Sequence, residues 1–96
     1  MSTAFKKADE IIREVCEHAG ISYESITNKV RTRNLTKHRH FAMWRVRNEA
    51  GLSYSEIGRI FNRHHASVLY AIHKLDWEQE IETHKEFQKL LKEDDH

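Results

Sequence analysis

"LSYSEIGRIFNRHHASVLYAIHKL", residues 52–75, holds two short amphipathic runs joined by a polar break. Ser53 followed three residues later by Glu56 forms a capping box, each side chain satisfying an orphan backbone N–H at the other, so a helix starts there. Ile57, Ile60 and Phe61 make its apolar face. Asn62-Arg63 can turn the chain, and Val68, Ile72 and Leu75, with Leu69 beside them, give the stripe of a second helix. Two short helices with a tight connection are a helix-turn-helix, here over about residues 53–75. When such a pair meets DNA, the N-terminal residues of its second helix lie against base edges in the major groove. His64, His65, Ala66 and Ser67 occupy that position, with Tyr70 one turn on. The Ser67 hydroxyl and the imidazoles can donate or accept at a base, and the Ala66 methyl can touch that of thymine.

Working outward, Phe5, Ala8, Ile12, Val15 and Ala19 recur at spacings of three and four, Ile11 and Cys16 widen the stripe, and Gly20 stops it. Ser22 can cap a short second helix carrying Tyr23 and Ile26 and ending near Asn28. "KVRTRNL", residues 29–35, reads as a basic connector. Thr36 is expected to cap a third helix through about Ala50, with Phe41, Ala42, Met43, Trp44, Val46 and Ala50 on its apolar side and Gly51 closing it. A separate acidic last helix is expected over about 77–92, with Trp77, Ile81, His84, Phe87, Leu90 and Leu91 on one side. With no Pro, three Gly and 96 residues, these runs predict one all-α domain over 1–96. The expected architecture is a compact, Trp-repressor-like helical bundle of five to six helices.

The net charge of +1 conceals a strong asymmetry. Residues 1–28 carry three basic and five acidic side chains, residues 29–74 ten and two, and residues 75–96 three and eight. From Lys29 to Arg47 there are seven Lys or Arg and no carboxylate, the footprint of a surface that meets phosphate. Ordinary surface helices intersperse signs, so a merely solvated face is the weaker reading. Lys29, Arg33, Lys37, Arg39, Arg47, Arg63 and Tyr70 are the expected backbone contacts. No apolar run is long enough to span a bilayer, so no membrane role is expected. A lone cysteine and the lack of a signal peptide fit a cytoplasmic protein.

"RHFAMW", "LSYSEIGRIF" and "HHASVLYAIHKL" together resemble the C-terminal DNA-binding domain of the bacterial replication initiator DnaA. The family pattern runs roughly R-Q-x-A-M-x, S-L-x-E-I-G-x-x-F and D-H-T-T-V-L-x-A, and the likeness covers about residues 20–76. It implies a helix-turn-helix that reads a short, partly A·T-rich duplex site, assisted by a basic loop whose arginine enters the minor groove. Arg31 stands at that arginine, with Arg33 as the fallback, and Arg47 matches a basic position suited to phosphate. His65 and Ser67 match the family's histidine and second threonine. The chain departs from the pattern at His64, where the family has aspartate, and at Ala66, where it has threonine. Arg45 and Glu49 fall at usually apolar positions, which would roll the third helix toward Val46 and Ala50. The initiator's nucleotide-binding stretch G-x-x-x-x-G-K-[ST] is missing. From residues 1–19, which lie outside the likeness, and Met1, a free-standing small binder such as a phage or mobile-element regulator is expected over an excised domain.

The resulting expectation is sequence-specific binding of double-stranded DNA in the control of replication or transcription, in a bacterium or phage. Two rival classes stand against it. An enzyme is disfavoured, with no catalytic residue, cofactor or metal expected: His38 with His40 and His64 with His65 lack zinc spacing, and Cys16 has no paired base. A protein-interaction module serving a replication or transcription complex is the stronger rival. Its support is the acidic C-terminal helix, a candidate protein contact, although such a helix more often covers the core.

Overall fold

Residues 3–28 and 33–93 are described by a computed structural model, without the side chains of Arg33, Asn34, Thr83, His84, Phe87 and residues 90–93. Lys29 and Arg31, and with them most of the basic connector, lie outside the described residues, as does the Arg33 side chain. Helix α1 (Thr3–Ala19) buries Ala8, Ile11, Ile12, Val15 and Cys16 of the predicted stripe, with Phe5 and Ala19 partly buried at its ends. Its chain turns at Gly20, whose φ of +69° is costly for a residue with a Cβ. Ser22 then caps α2 (Tyr23–Thr27), its hydroxyl accepting from the Ser25 amide at 3.1 Å. Ile26 is buried beneath α3.

Helix α3 (Arg33–Arg45) starts three residues before the expected cap, so Thr36 is an interior residue. It passes into a widened π-helical turn, Val46–Ala50, that ends at Gly51 in the left-handed region. Val46 is fully buried, while Arg45 swings outward to pair with Glu49 at 2.6 Å and with Glu14 of α1 at 3.3 Å. This answers how two charges occupy usually apolar positions. They pair with each other and with α1, and Val46 takes the core.

Helix α4 (Tyr54–Phe61) begins on the capping box predicted for Ser53 and Glu56, with both reciprocal bonds made. Those bonds hold the Glu56 carboxyl below its ordinary range. Asn62, in the left-handed conformation at φ 56°, ends the helix. Gly58 is buried because the returning chain passes over it: a Cβ there would lie 2.5 Å from the Arg63 carbonyl oxygen. Helix α5 (His65–Glu93) follows, and Val68, Ala71 and Ile72 join Ile57 and Phe61 in the core.

The separate last helix is a correction. Helix α5 runs unbroken for 29 residues, because nothing after Gly58 is Gly or Pro and the residues around Trp77 are helix-compatible. At 1.5 Å per residue it is about 43 Å long, which accounts for a long axis of 55 Å against 28 and 25 Å. Trp44 Nε1 donates to Asp76 at 2.7 Å, tying α3 to α5 where the bundle ends. Beyond it, Trp77 is 64% exposed and Ile81 36%, so neither covers the core.

Candidate nucleic-acid interface

Four consecutive exposed residues, His64, His65, Ala66 and Ser67, stand at the start of α5, and Tyr70 one turn later is 67% exposed. They are held there by the packing behind them. Val68, Ala71 and Ile72 anchor the opposite side of the helix, and the Arg63 amide donates to the Gly58 carbonyl at 2.8 Å, fastening the turn to α4. Arg63 also braces the turn from its side chain, NH1 reaching the carbonyls of Asn62 at 3.2 Å and Phe61 at 3.4 Å.

A cleft separates this end of α5 from α3. Thr36, Arg39, His40 and Met43 line one wall, and Arg63, Ala66, Ser67 and Tyr70 the other. Two arginines, a histidine and three hydroxyl-bearing residues line it, and no carboxylate does. Its potential is therefore positive. The His40 imidazole is held below its ordinary 6.5 by burial first, then by Lys74, Arg39 and Arg63, with Glu78 opposing.

Of the expected backbone contacts, Arg39 is overturned. It is 2% exposed, and its Nε donates to the Ile26 carbonyl at 2.7 Å while NH2 reaches those of Ser25 at 3.2 Å and Asn28 at 3.3 Å. These are carbonyls at the end of α2, which has no further turn to satisfy them. Burial, and then the neighbouring Arg63, lower its pKa. Arg39 is an internal brace. Arg47, in the π-helical turn, is half-buried against the start of α4, NH1 donating to the Leu52 carbonyl at 2.7 Å and the guanidinium lying 4.6 Å over the Tyr54 ring. Lys37 is exposed.

Cys16 packs in the core, where burial pushes its thiol up, the opposite of an activated nucleophile. Among the described residues no group of three His, Cys, Asp or Glu is placed to hold a metal ion. None of the described helices is long and apolar enough to cross a membrane.

Sequence comparison agrees with this geometry. The family described as the bacterial dnaA protein helix-turn-helix matches residues 8–75, which take in all of α4, the first part of α5 and most of α1. The chain belongs to this family. It is 41% identical over 85 residues to the chromosomal replication initiator protein DnaA of Thermus thermophilus, covering 86% of this chain and 19% of that protein. It is 35% identical over 75 residues to DnaA 1 of Chlamydia pneumoniae, covering 78% and 16%. Against DnaA of Bacteroides thetaiotaomicron the identity is 34% over 86 residues, covering 88% and 18%. The chain thus spans less than a fifth of the length of these DnaA relatives. The match from Ala8 also corrects the view that residues 1–19 are unrelated: the buried side of α1 is part of the family's bundle.

Two features of the interface escaped sequence reading. The Arg39 brace could have been found, since Arg39, Ala42, Met43 and Val46 lie at i, i+3, i+4 and i+7 and so share the core side of α3. The other is at His64, whose ring Nδ1 accepts from the Ala66 amide at 3.1 Å and caps α5. Histidine is not among the usual capping residues, so nothing in the sequence announced it.

Proposed function

We propose that this chain binds double-stranded DNA without enzymatic activity, α5 entering the major groove by its N-terminus, and that it acts in the cytoplasm in replication initiation or its control. The observation that carries the reading is the exposed run His64–Ser67 with Tyr70, presented by a rigid helix beside a cleft lined by cations and hydroxyls. Membership of the DnaA helix-turn-helix family supports it. Base contacts fall to His64, His65, Ala66 and Ser67, and phosphate contacts to Lys37, Arg47, Arg63 and Tyr70. In the basic connector, Arg31, with Arg33 as the fallback, takes the adjacent minor groove, and Lys29 and Arg33 meet the backbone beside it. An A·T-rich groove suits it, because its narrowness deepens the negative potential.

Fluorescence anisotropy on labelled duplex over a salt series tests the reading. If Z phosphates are neutralised, log affinity should fall against log salt with a slope of about −0.9Z. Ser67→Ala should cost about 1–3 kcal/mol on the preferred site and little on random duplex. Absence of binding at low salt would remove the reading.

A second reading concerns the far half of α5. Trp77 and Ile81 stand exposed among Glu78, Glu80 and Glu82, which supports a protein partner whose apolar strip is flanked by basic residues. Such a partner would complement DNA binding or, in the rival reading, replace it.

A further inference from the structure

Helix α5 starts on an imidazole. The His64 carbonyl accepts from the amides of Ser67 at 3.0 Å and Val68 at 3.3 Å, and its ring Nδ1 accepts from the amide of Ala66 at 3.1 Å. That second bond is the one usually made by Ser, Thr, Asp or Asn, whose oxygen satisfies an orphan N–H in the first turn. A backbone N–H can only donate, so the bond requires a lone pair on Nδ1. The single ring proton of the neutral imidazole is then on Nε2. Capping fixes the tautomer.

The distal nitrogen, on the far edge of an exposed side chain, is therefore a donor with no acceptor capacity. The ring is also held from the side, its centroid 4.2 Å from that of His65 at a tilt of 33°. Cap and ring contact together orient one N–H at the front of the helix.

Resting on the reading that α5 enters the major groove, we propose that His64 determines specificity by donating from Nε2 to a base-edge acceptor, selecting guanine and rejecting cytosine at the base it faces. Guanine offers O6 and N7, two acceptors side by side, whereas cytosine offers only its N4 amino donor, which an N–H repels. An aspartate at this position could also cap the helix with one oxygen. It would present lone pairs outward, accept from cytosine N4 and repel guanine. The recognised base thus depends on which atom remains once the cap is made.

Two measurements test this. In the free protein near neutral pH, the His64 ring, assigned by its loss in His64→Asp, should show Nε2 protonated and Nδ1 bare in ¹⁵N spectra. An Nδ1-protonated ring would overturn the proposal without recourse to DNA. Selection from randomised duplex should then give, for the wild type, one base pair with guanine favoured over cytosine by about fivefold, the ratio that one ordinary net hydrogen bond produces. His64→Asp, which keeps a capping acceptor, should turn that pair to cytosine and leave the other positions alone. The same bases from both proteins, or a loss equal on all sequences, would show that His64 is not at a base edge. If neither protein enriches any motif while both melt as folded domains, DNA reading itself fails, and this proposal with it.

Discussion

Arg39→Ala should unfold this domain more readily while leaving the affinity of the folded molecule for DNA nearly unchanged. The guanidinium closes the end of α2 through three carbonyls, those of Ile26, Ser25 and Asn28, and it does so inside the protein. Helix α2 has only five residues, too few to hold itself together, so its end depends on this contact. A positive charge also suits the negative end of the helix dipole. Removing the side chain leaves carbonyls shielded from water without their donor and opens a void beside Ile26. Hydrogen bonds to a charged group contribute about 1.5–3 kcal/mol each but share one desolvation cost, so the three together come to about 3–4 kcal/mol. At about 4–8 °C per kcal/mol for a domain of this size, the melting temperature should fall by about 12–30 °C. Arg39→Lys, which keeps the charge but not the fork, should lie between.

Thermal and urea melts followed by circular dichroism give the stability. Anisotropy well below the melt, corrected for the folded fraction, gives the affinity. A variant that melts with the wild type yet binds every duplex more weakly would refute the brace and return Arg39 to the phosphate contacts.

Gly58→Ala should cost at least about 1–3 kcal/mol, because the new Cβ meets the Arg63 carbonyl oxygen at 2.5 Å and that backbone cannot retreat without opening the turn; an unchanged melt would contradict it. His40→Gln should flatten the dependence of stability on pH. With its folded pKa below the ordinary 6.5, His40 refuses a proton that the unfolded chain accepts, so stability is full above 6.5 and falls as pH drops through the window just beneath it. Glu49 and Glu56, held below 4.5, add their losses only as pH falls through that lower range, so urea midpoints taken between the two values isolate His40. Trp77→Ala should change stability by less than about 0.5 kcal/mol, as expected of a side chain that covers no core; a larger loss in the urea midpoint would mean that Trp77 packs on the bundle.

Local signals were legible and distant ones were not. The α1 stripe, the Ser22 cap, the capping box at Ser53 and the turn at Asn62 each involve residues within four positions of one another, and the structure has all of them. Arg39 reaches partners 11 to 14 residues away, so a charge count placed it on the surface although its spacing placed it inside. Thr36 misled for a related reason: threonine caps well, but the helix had already begun at Arg33. At the candidate interface, the sequence singled out His64–Ser67, which the structure leaves exposed, and left open which atom His64 presents, because that follows from a cap whose existence depends on the turn before it.

The continuity of α5 settles how its two halves relate. Its core side ends at Leu75, and two residues on, at 100° each, the helix has turned about 200° to Trp77. Trp77 and Ile81 thus lie within about 20° of Tyr70 around the axis, on the side away from the bundle. Had the helix broken near Asp76, the same residues could have folded back onto the core, as the sequence led one to expect. The exposed line that starts at the N-terminal end of α5, where the proposed function places the base contacts, therefore continues into the extension. Trp77 lies about 16 Å along the axis from Ala66, farther than the roughly 12 Å width of the major groove. Glu78, Glu80 and Glu82 follow, exposed and repelled by phosphate. A duplex engaged by His64–Ser67 must accordingly leave α5 before Trp77, with the helix pointing out of the groove. Base reading and a partner on the extension then occupy opposite ends of one stiff rod and do not compete for surface. A partner that tilts the far end moves the reading end with it, because no glycine or proline between them can absorb the motion.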